Sequence, residues 1–257
     1  MYRIKISYTI LLLLAIFSIN SCSKKIQSLQ DLKKKNIGVL IGTSIDNQFI
    51  EVFPAAKLKF FTSTEDAIFA LQMKKVDAVL EDEPFLRIYV ARHDNFRLLD
   101  EKITEEKYAF AVSIYNLALK KTIDTTIDKL KREGIYQEIE DRWFSMDNEA
   151  VRMPSFTFDE NKPLLLFGTS AITEPFSFLD EEKNIIGFDI ELAHYVAKEL
   201  DMNLEIVEMP FAAMIPSLIS HNVDMIGGCI TITDERANNV LFSEPNYQGG
   251  IGVLVRK

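Results

Sequence analysis

Arg236 is the residue best suited to hold an anion. It closes the run Thr231-Ile232-Thr233-Asp234-Glu235-Arg236, so two hydroxyls and a guanidinium fall within six residues. A guanidinium takes a carboxylate in a two-pronged, charge-assisted pair. Thr233 reads as the start of a short helix, where the first backbone N–H groups also favour an anion. Taken alone, the same arginine reads more readily as a surface partner of Asp234 or Glu235. Far upstream, Glu81-Asp82-Glu83-Pro84 reads as an acidic turn, with Asp82 taken alone a solvated turn residue. Phe211 alone reads as core. His93, His194 and His221 are scattered without metal-ligand spacing, and no nucleophile stands with a base. No metal, cofactor or enzyme site is read from these residues.

The chain has 257 residues, with 29 Lys and Arg against 38 Asp and Glu, so its formal charge is −9. That balance argues against nucleic acid as a partner, because phosphate binding needs a basic face. With 47% hydrophobic residues the chain reads as an ordinary folded protein. Two cysteines exclude a disulfide scaffold. Arg3 and Lys5 precede an apolar run from Ile10 to Phe17, too short to span a membrane. This reads as a secretory signal over residues 1–21. It ends Ile19-Asn20-Ser21-Cys22, which resembles the bacterial lipobox. The resemblance implies cleavage before Cys22 and a lipid anchor on its sulfur; an uncleaved anchor is the alternative. Cys229 is then a small packing residue.

Strands are predicted at Ile37–Ile41, Lys57–Phe61, Ala78–Leu80, Tyr108–Val112, Leu164–Phe167, Leu204–Val207, Met225–Ile226 and Gly249–Val255. Ser63 with Asp66 marks a helix start, followed by Ala67, Ala70 and Leu71 on one face. Ile123, Ile127 and Leu130 share a helical face. Past Gly134, Ile135, Ile139 and Trp143 share another. Ile190, Ala193, Ala197 and Leu200 mark a third, and Pro216–Ile219 a short helix. Periodicity is lost over Ser145–Lys162, which reads as a linker. Strands separated by helices on both sides of it predict an α/β chain of two lobes, each a mainly parallel sheet flanked by helices.

Gly187-Phe188-Asp189-Ile190-Glu191-Leu192, with Val196-Ala197 and Leu200 after it, is similar to the signature of the family 3 extracellular solute-binding proteins, the polar amino-acid receptors of ABC importers. The segment from Ile230 to Arg236, then Phe242-Ser243-Glu244-Pro245-Asn246-Tyr247, looks like that family's ligand loop. Gly168-Thr169 and Pro175-Phe176-Ser177-Phe178 fit its opening strand and turn. In the first half, Val39 with Gly42-Thr43, Val76–Asp82, Gly134-Ile135-Tyr136 and Arg142-Trp143-Phe144 resemble the rest of the family. The resemblance implies a two-lobed, type II-like periplasmic binding fold on the periplasmic side of a bacterial membrane.

It also implies a site. Arg236 and Thr231 would take an amino acid's carboxylate, and Asp82, from the other lobe, its ammonium. The backbone near Cys229 would accept from the ammonium, Thr43 and Ser44 would add donors, and Phe211 would stack on the ligand's side chain. Ser170 stands where an acidic residue is common, Thr173 where an aromatic is common and Leu40 where some members carry a basic residue. Glu81 flanks Asp82. These departures leave the ligand open.

The order of the segments is exchanged. In the family, the part like 163–257 comes first and the part like 26–144 follows. This reads as a circular permutation, with lobe exchange between neighbouring chains as the alternative. The organisation expected is a signal over 1–21, one lobe over 22–106, a helical segment over 107–147 returning to the other lobe, a linker over 148–162 and that lobe over 163–257. A single covalent connection, near Thr104–Val112, would join the lobes. The function implied is capture of a small ligand for an ABC permease. The alternatives are a sensor acting through a separate membrane partner, or a dehydratase-like or cell-wall enzyme.

Overall fold

A computed structural model describes residues 25–41, 43, 45–145 and 151–257. The signal, Cys22 and Ser44 lie outside the described residues.

Two sheets carry the chain. In the first, β1 (Asn36–Leu40) lies parallel between β2 (Lys57–Phe61) and β3 (Ala78–Asp82). Helix α1 (Ile45–Val52) packs on one face of this sheet through Ile45, Phe49 and Phe53. Helix α2 (Thr64–Gln72) packs on the other through Ala67, Ile68 and Leu71. The Ser63 hydroxyl accepts the Asp66 N–H at 3.1 Å, so the predicted cap forms. The run Glu81–Pro84 is no free turn. It ends β3 and opens α3 (Glu83–Arg92), because Pro84 needs no N–H partner in a first helical turn. Strands β4 (Phe96–Leu98) and β5 (Thr104–Tyr108) follow.

The predicted strand Tyr108–Val112 is divided. The chain leaves the first sheet after β5, passes Ala109 and Phe110, and joins the second sheet as β6 (Ala111–Ser113). Helices α4 (Leu117–Glu133) and α5 (Ile135–Phe144) follow, with Gly134 between them at φ 80°. That left-handed turn suits glycine. Residues 151–162 form no helix or strand, but they are not loose: Val151 and Met153 pack on the core, and Phe156 stacks on His194 at 4.1 Å.

The second sheet is built from β7 (Leu164–Thr169), β11 (Asn203–Glu208), β12 (Met225–Ile226) and β13 (Val240–Phe242), with β6 between the last two. A small sheet of β8 (Ile172–Thr173), β9 (Ser177–Leu179) and β10 (Ile185–Ile186) leads into α6 (Phe188–Glu199). Helix α7 (Met214–Ile219) and the short α8 (Asp234–Ala237) complete this half.

The final strand, β14 (Tyr247–Arg256), corrects the expected division. It leaves the second lobe and enters the first sheet, antiparallel to β3, β4 and β5. The reading of 163–257 as one lobe therefore stops near Phe242. Val253 to Val255 are buried there because Val253 and Val255 pack into the core on one face of the sheet and Leu254 into the core on the other. Two segments join the lobes, Ala109–Phe110 and Ser243–Asn246, where one had been expected. Each half of the sequence thus lends one antiparallel strand to the other half's sheet. The orders β2-β1-β3-β14-β4 and β11-β7-β12-β6-β13 repeat the same plan, and the two-lobed α/β fold is as predicted.

Glu191 fixes the helices to the second lobe. Its buried carboxylate accepts from Arg142 at 2.6 and 2.8 Å and from the Trp143 indole at 2.7 Å. α5 is thereby tied to α6.

Candidate functional site

Asp82 stands where β3 ends and α3 begins, at the seam between the lobes. Its Oδ1 accepts the Tyr108 hydroxyl at 2.5 Å. Tyr108 reaches it because Gly249, two residues along β14 from its register partner Tyr247, has no side chain: a Cβ there would sit 2.7 Å from the Tyr108 ring. The Cys229 thiol, from the second lobe, also bonds to Asp82. Burial pushes the Asp82 carboxyl up, against the lowering effect of these two donors and of Arg236. The same burial, with Asp82 beside them, keeps the Tyr108 phenol and the Cys229 thiol protonated.

Arg236 lies in α8, whose start is capped by the Thr233 hydroxyl accepting the Arg236 N–H at 3.2 Å. Its Nη1 donates to the Thr231 carbonyl at 2.9 Å, and its guanidinium lies over the Phe211 ring at 5.5 Å. Burial lowers its pKa, while Asp82 and Glu106 favour its charge. Thr231 is buried and bridges Tyr108 across the seam.

Asp189, one of the signature residues, holds the loop that presents these groups. Its Oδ2 accepts the Gly228 and Cys229 N–H groups at 2.7 and 3.0 Å, and its Oδ1 accepts the Asn246 amide at 2.7 Å. Cys229 sits at φ 63°, so this loop is sharply turned. Burial pushes Asp189 up to about 6, although all three hydrogen bonds work the other way.

A cavity of about 20 Å3 brings Thr43, Asp82, Phe211, Cys229, Thr231 and Arg236 together. Glu81, Leu40 and Ile251 line it from the first lobe, and Thr173 from the second. Ser170 is buried and does not line the cavity. The Thr43 hydroxyl donates to the Leu40 carbonyl at 2.9 Å. The Cys229 N–H is committed to Asp189. His194 is covered by Phe156, and burial pushes it down to about 4. Among the described residues no group of three or more His, Cys, Asp or Glu could hold a metal ion.

Sequence reasoning missed Tyr108 and Asp189 as positioning groups. Tyr108 shares a strand face with Glu106 and Thr104 by two-residue spacing, a signal obscured by reading one strand through Val112. Asp189 carried no local sign of its reach, because Asn246 is 57 residues away.

Residues 165–257 match the family described as bacterial extracellular solute-binding proteins, family 3. The chain is 36% identical over 99 residues to the arginine-binding extracellular protein ArtP of Bacillus subtilis, covering 38% of each chain. It is 34% identical over 93 residues to the L-cystine-binding protein TcyJ of Escherichia coli, covering 36% of this chain and 35% of that one. The chain thus spans less than half the length of these curated relatives. Among solved structures, the arginine-bound form of domain 1 from TmArgBP is 42% identical, with 37% of this chain and 80% of that chain covered and a TM-score of 0.33.

Proposed function

We propose that this chain, which belongs to family 3 of the bacterial extracellular solute-binding proteins through residues 165–257, captures a small amino acid between its lobes and delivers it to an ABC-type importer. The observation that carries this reading is one cavity lined by Arg236 from one lobe and Asp82 from the other. An amino acid presents a carboxylate and an ammonium at fixed separation. Arg236, with the Thr231 hydroxyl, takes the carboxylate. Asp82 takes the ammonium, exchanging the Tyr108 and Cys229 donors for it. Phe211 offers its face to the ligand's side chain, and Thr43 lies on the wall opposite. Arginine and cystine, bound by the relatives, both carry these two groups.

The cavity has room for about one water. Entry therefore requires the lobes to part about Ala109–Phe110 and Ser243–Asn246. A ligand that touches both lobes binds the closed arrangement better and shifts the equilibrium toward it.

Two further parts belong to this reading. Cys22 anchors the protein to the membrane on its periplasmic side through a lipid; loss of radiolabelled palmitate from C22A checks this. The chain is also a circular permutation of its family. Ile26 and Lys257 meet the same strand: Arg97 donates to the Ile26 carbonyl, and the Lys257 N–H donates to Asn95 at 3.0 Å. A chain in the family's order would pass from 257 to 26 along this edge, and residues 145–162 would be the added joint.

The test is a thermal-shift screen of the amino acids against protein lacking residues 1–22. A ligand at 100 times its Kd should stabilise by about 2.7 kcal/mol. The shift should vanish in R236A and in D82A. Absence of a shift with every amino acid rejects the reading.

A further inference from the structure

The seam holds more buried acid than base. Glu81 and Glu106 are only 5% and 4% exposed, and Asp82 lies between them at the cavity. Glu106 is satisfied by the Thr104 hydroxyl at 2.7 Å. Glu81 lines the cavity itself. Its Oε2 accepts the Thr64 hydroxyl at 2.6 Å, and its Oε1 accepts the Asp82 N–H at 3.1 Å. Among the described residues no lysine, arginine or histidine comes within ion-pair distance of Glu81 or Asp82.

The charges that act on the two carboxyls differ. Asp82 feels Arg236 and receives two hydrogen-bond donors. The charges that act most on Glu81 are like charges, from Asp82 and from Glu65 on α2. A buried carboxyl in such a place must keep its proton or find a cation. Asp82 is assigned to the α-ammonium, so a cation for Glu81 must come from elsewhere on the ligand.

We propose that Glu81 is a specificity-determining residue that selects amino acids carrying a second cation, an ammonium or guanidinium, at the end of the side chain. The inference rests on the amino-acid reading above and deepens it. Once such a ligand is bound, the two neighbouring carboxyls face two cations and the site's excess of acid is neutralised. A ligand with a neutral side chain leaves Glu81 protonated and gains nothing from it. Thr64 positions Glu81 from the first turn of α2.

The test is calorimetry on the chain lacking residues 1–22, with arginine against citrulline and lysine against norleucine. The native protein should prefer the cationic member of whichever pair it binds by at least roughly tenfold. In E81Q the preference should fall to within about threefold. A second readout needs no variant. Burial, then Asp82, pushes Glu81 up to about 7, so the native cation preference should grow as pH rises from 6 to 8. Tyr108, Cys229 and Arg236, which also meet at Asp82, keep their protons over that range. A preference that is flat with pH, or unchanged in E81Q, overturns the assignment. Tight binding of neutral amino acids with no preference for cationic ones overturns it while leaving the amino-acid reading intact. If no amino acid binds, both fall together.

Discussion

Arg92 of α3 and Glu174, between β8 and β9, form a two-pronged ion pair across the seam, with Nη1–Oε2 at 2.8 Å and Nη2–Oε1 at 2.9 Å. The pair joins one lobe to the other at the cleft's rim, so it exists only while the lobes are together. Arg92 is 53% exposed and Glu174 23%, which places the pair among surface bridges worth about 0–1 kcal/mol, toward the upper end for its geometry. R92A should therefore weaken ligand binding about three- to fivefold by favouring the open arrangement. E174A should do the same, and the double variant no more than either. Additive losses in that cycle, or no loss in either variant, would show that the pair does not hold the lobes together.

Asp189 should make the protein's stability fall with rising pH. Its carboxyl is held at about 6 in the folded state, above its ordinary value of 3.8. The folded protein therefore binds more protons than the unfolded chain across this window. This stabilising contribution is complete below pH 4 and is lost as pH rises through 6. D189N removes the titration but keeps a carbonyl for Gly228 and Cys229. The new amide N–H finds its acceptor in the Asn246 Oδ1, which has no partner in the native structure and faces it once the Asn246 amide turns over. Urea unfolding should show a native-minus-D189N difference that shrinks by about 2–3 kcal/mol between pH 4 and 7.5. A difference independent of pH would refute this.

Glu191 should matter more for stability than any surface pair. Its carboxylate is 1% exposed and accepts from both Arg142 and Trp143. Leu in its place removes the acceptor of the buried Trp143 indole and of the partly exposed Arg142 guanidinium together. The expected loss is about 3–5 kcal/mol. Trp143, the single tryptophan, reports the event directly: its emission should shift blue in folded E191L as the indole N–H exchanges a carboxylate acceptor for an apolar neighbour. A loss below about 1 kcal/mol would mean α5 is held by apolar packing alone.

What the sequence reveals and what it hides follow a physical divide. Strands β2 and β12 fall where they were read, because short apolar or β-branched runs between turn residues mark them. Ser63 announces α2 through its cap. The seam is a different matter. β5 and β6 look like one strand because Tyr108 to Val112 stays apolar while the chain changes lobes. Tyr247–Arg256 looks like part of its own half for the same reason, since burial in either sheet asks for the same residues. Arg236 and Asp82 are named from the family resemblance, and the structure brings both to one cavity. Their neighbours Tyr108 and Asp189 act through contacts between distant segments, which no local pattern records.

Gly250 tests whether β14 must cross so closely. A Cβ there would lie 2.2 Å from the Thr104 carbonyl oxygen, a backbone atom that cannot turn aside. G250A should force β5 away from β14 and carry Tyr108 off Asp82. The expected cost is about 1–3 kcal/mol of stability, with weaker ligand binding in the fraction that folds. G249A meets only the Tyr108 ring, a side chain, and should cost less stability while still disturbing Asp82. Equal stability of G250A and the native chain would place the strands farther apart than they are here.

The proposed permutation is tested by reversing it. A gene that begins at Pro163, runs to Lys257, continues through a short Gly-Ser joint to Ile26 and ends at Ser145 restores the family's order. The joint need only follow β4, since Lys257 meets Asn95 and Ile26 meets Arg97 two residues along the same strand. A short flexible joint closes such a gap at little entropic cost. The reordered chain loses the packing of Phe156 on His194 and of Val151 and Met153 on the core, so it should unfold at somewhat lower urea. Both connections between the lobes remain, and so does every residue of the cavity. Ligand affinity should therefore stay within about threefold of the native chain. A monomer that folds and binds establishes that order is free and contacts are fixed. A chain that folds only as a dimer would instead show that the lobes pair between neighbours.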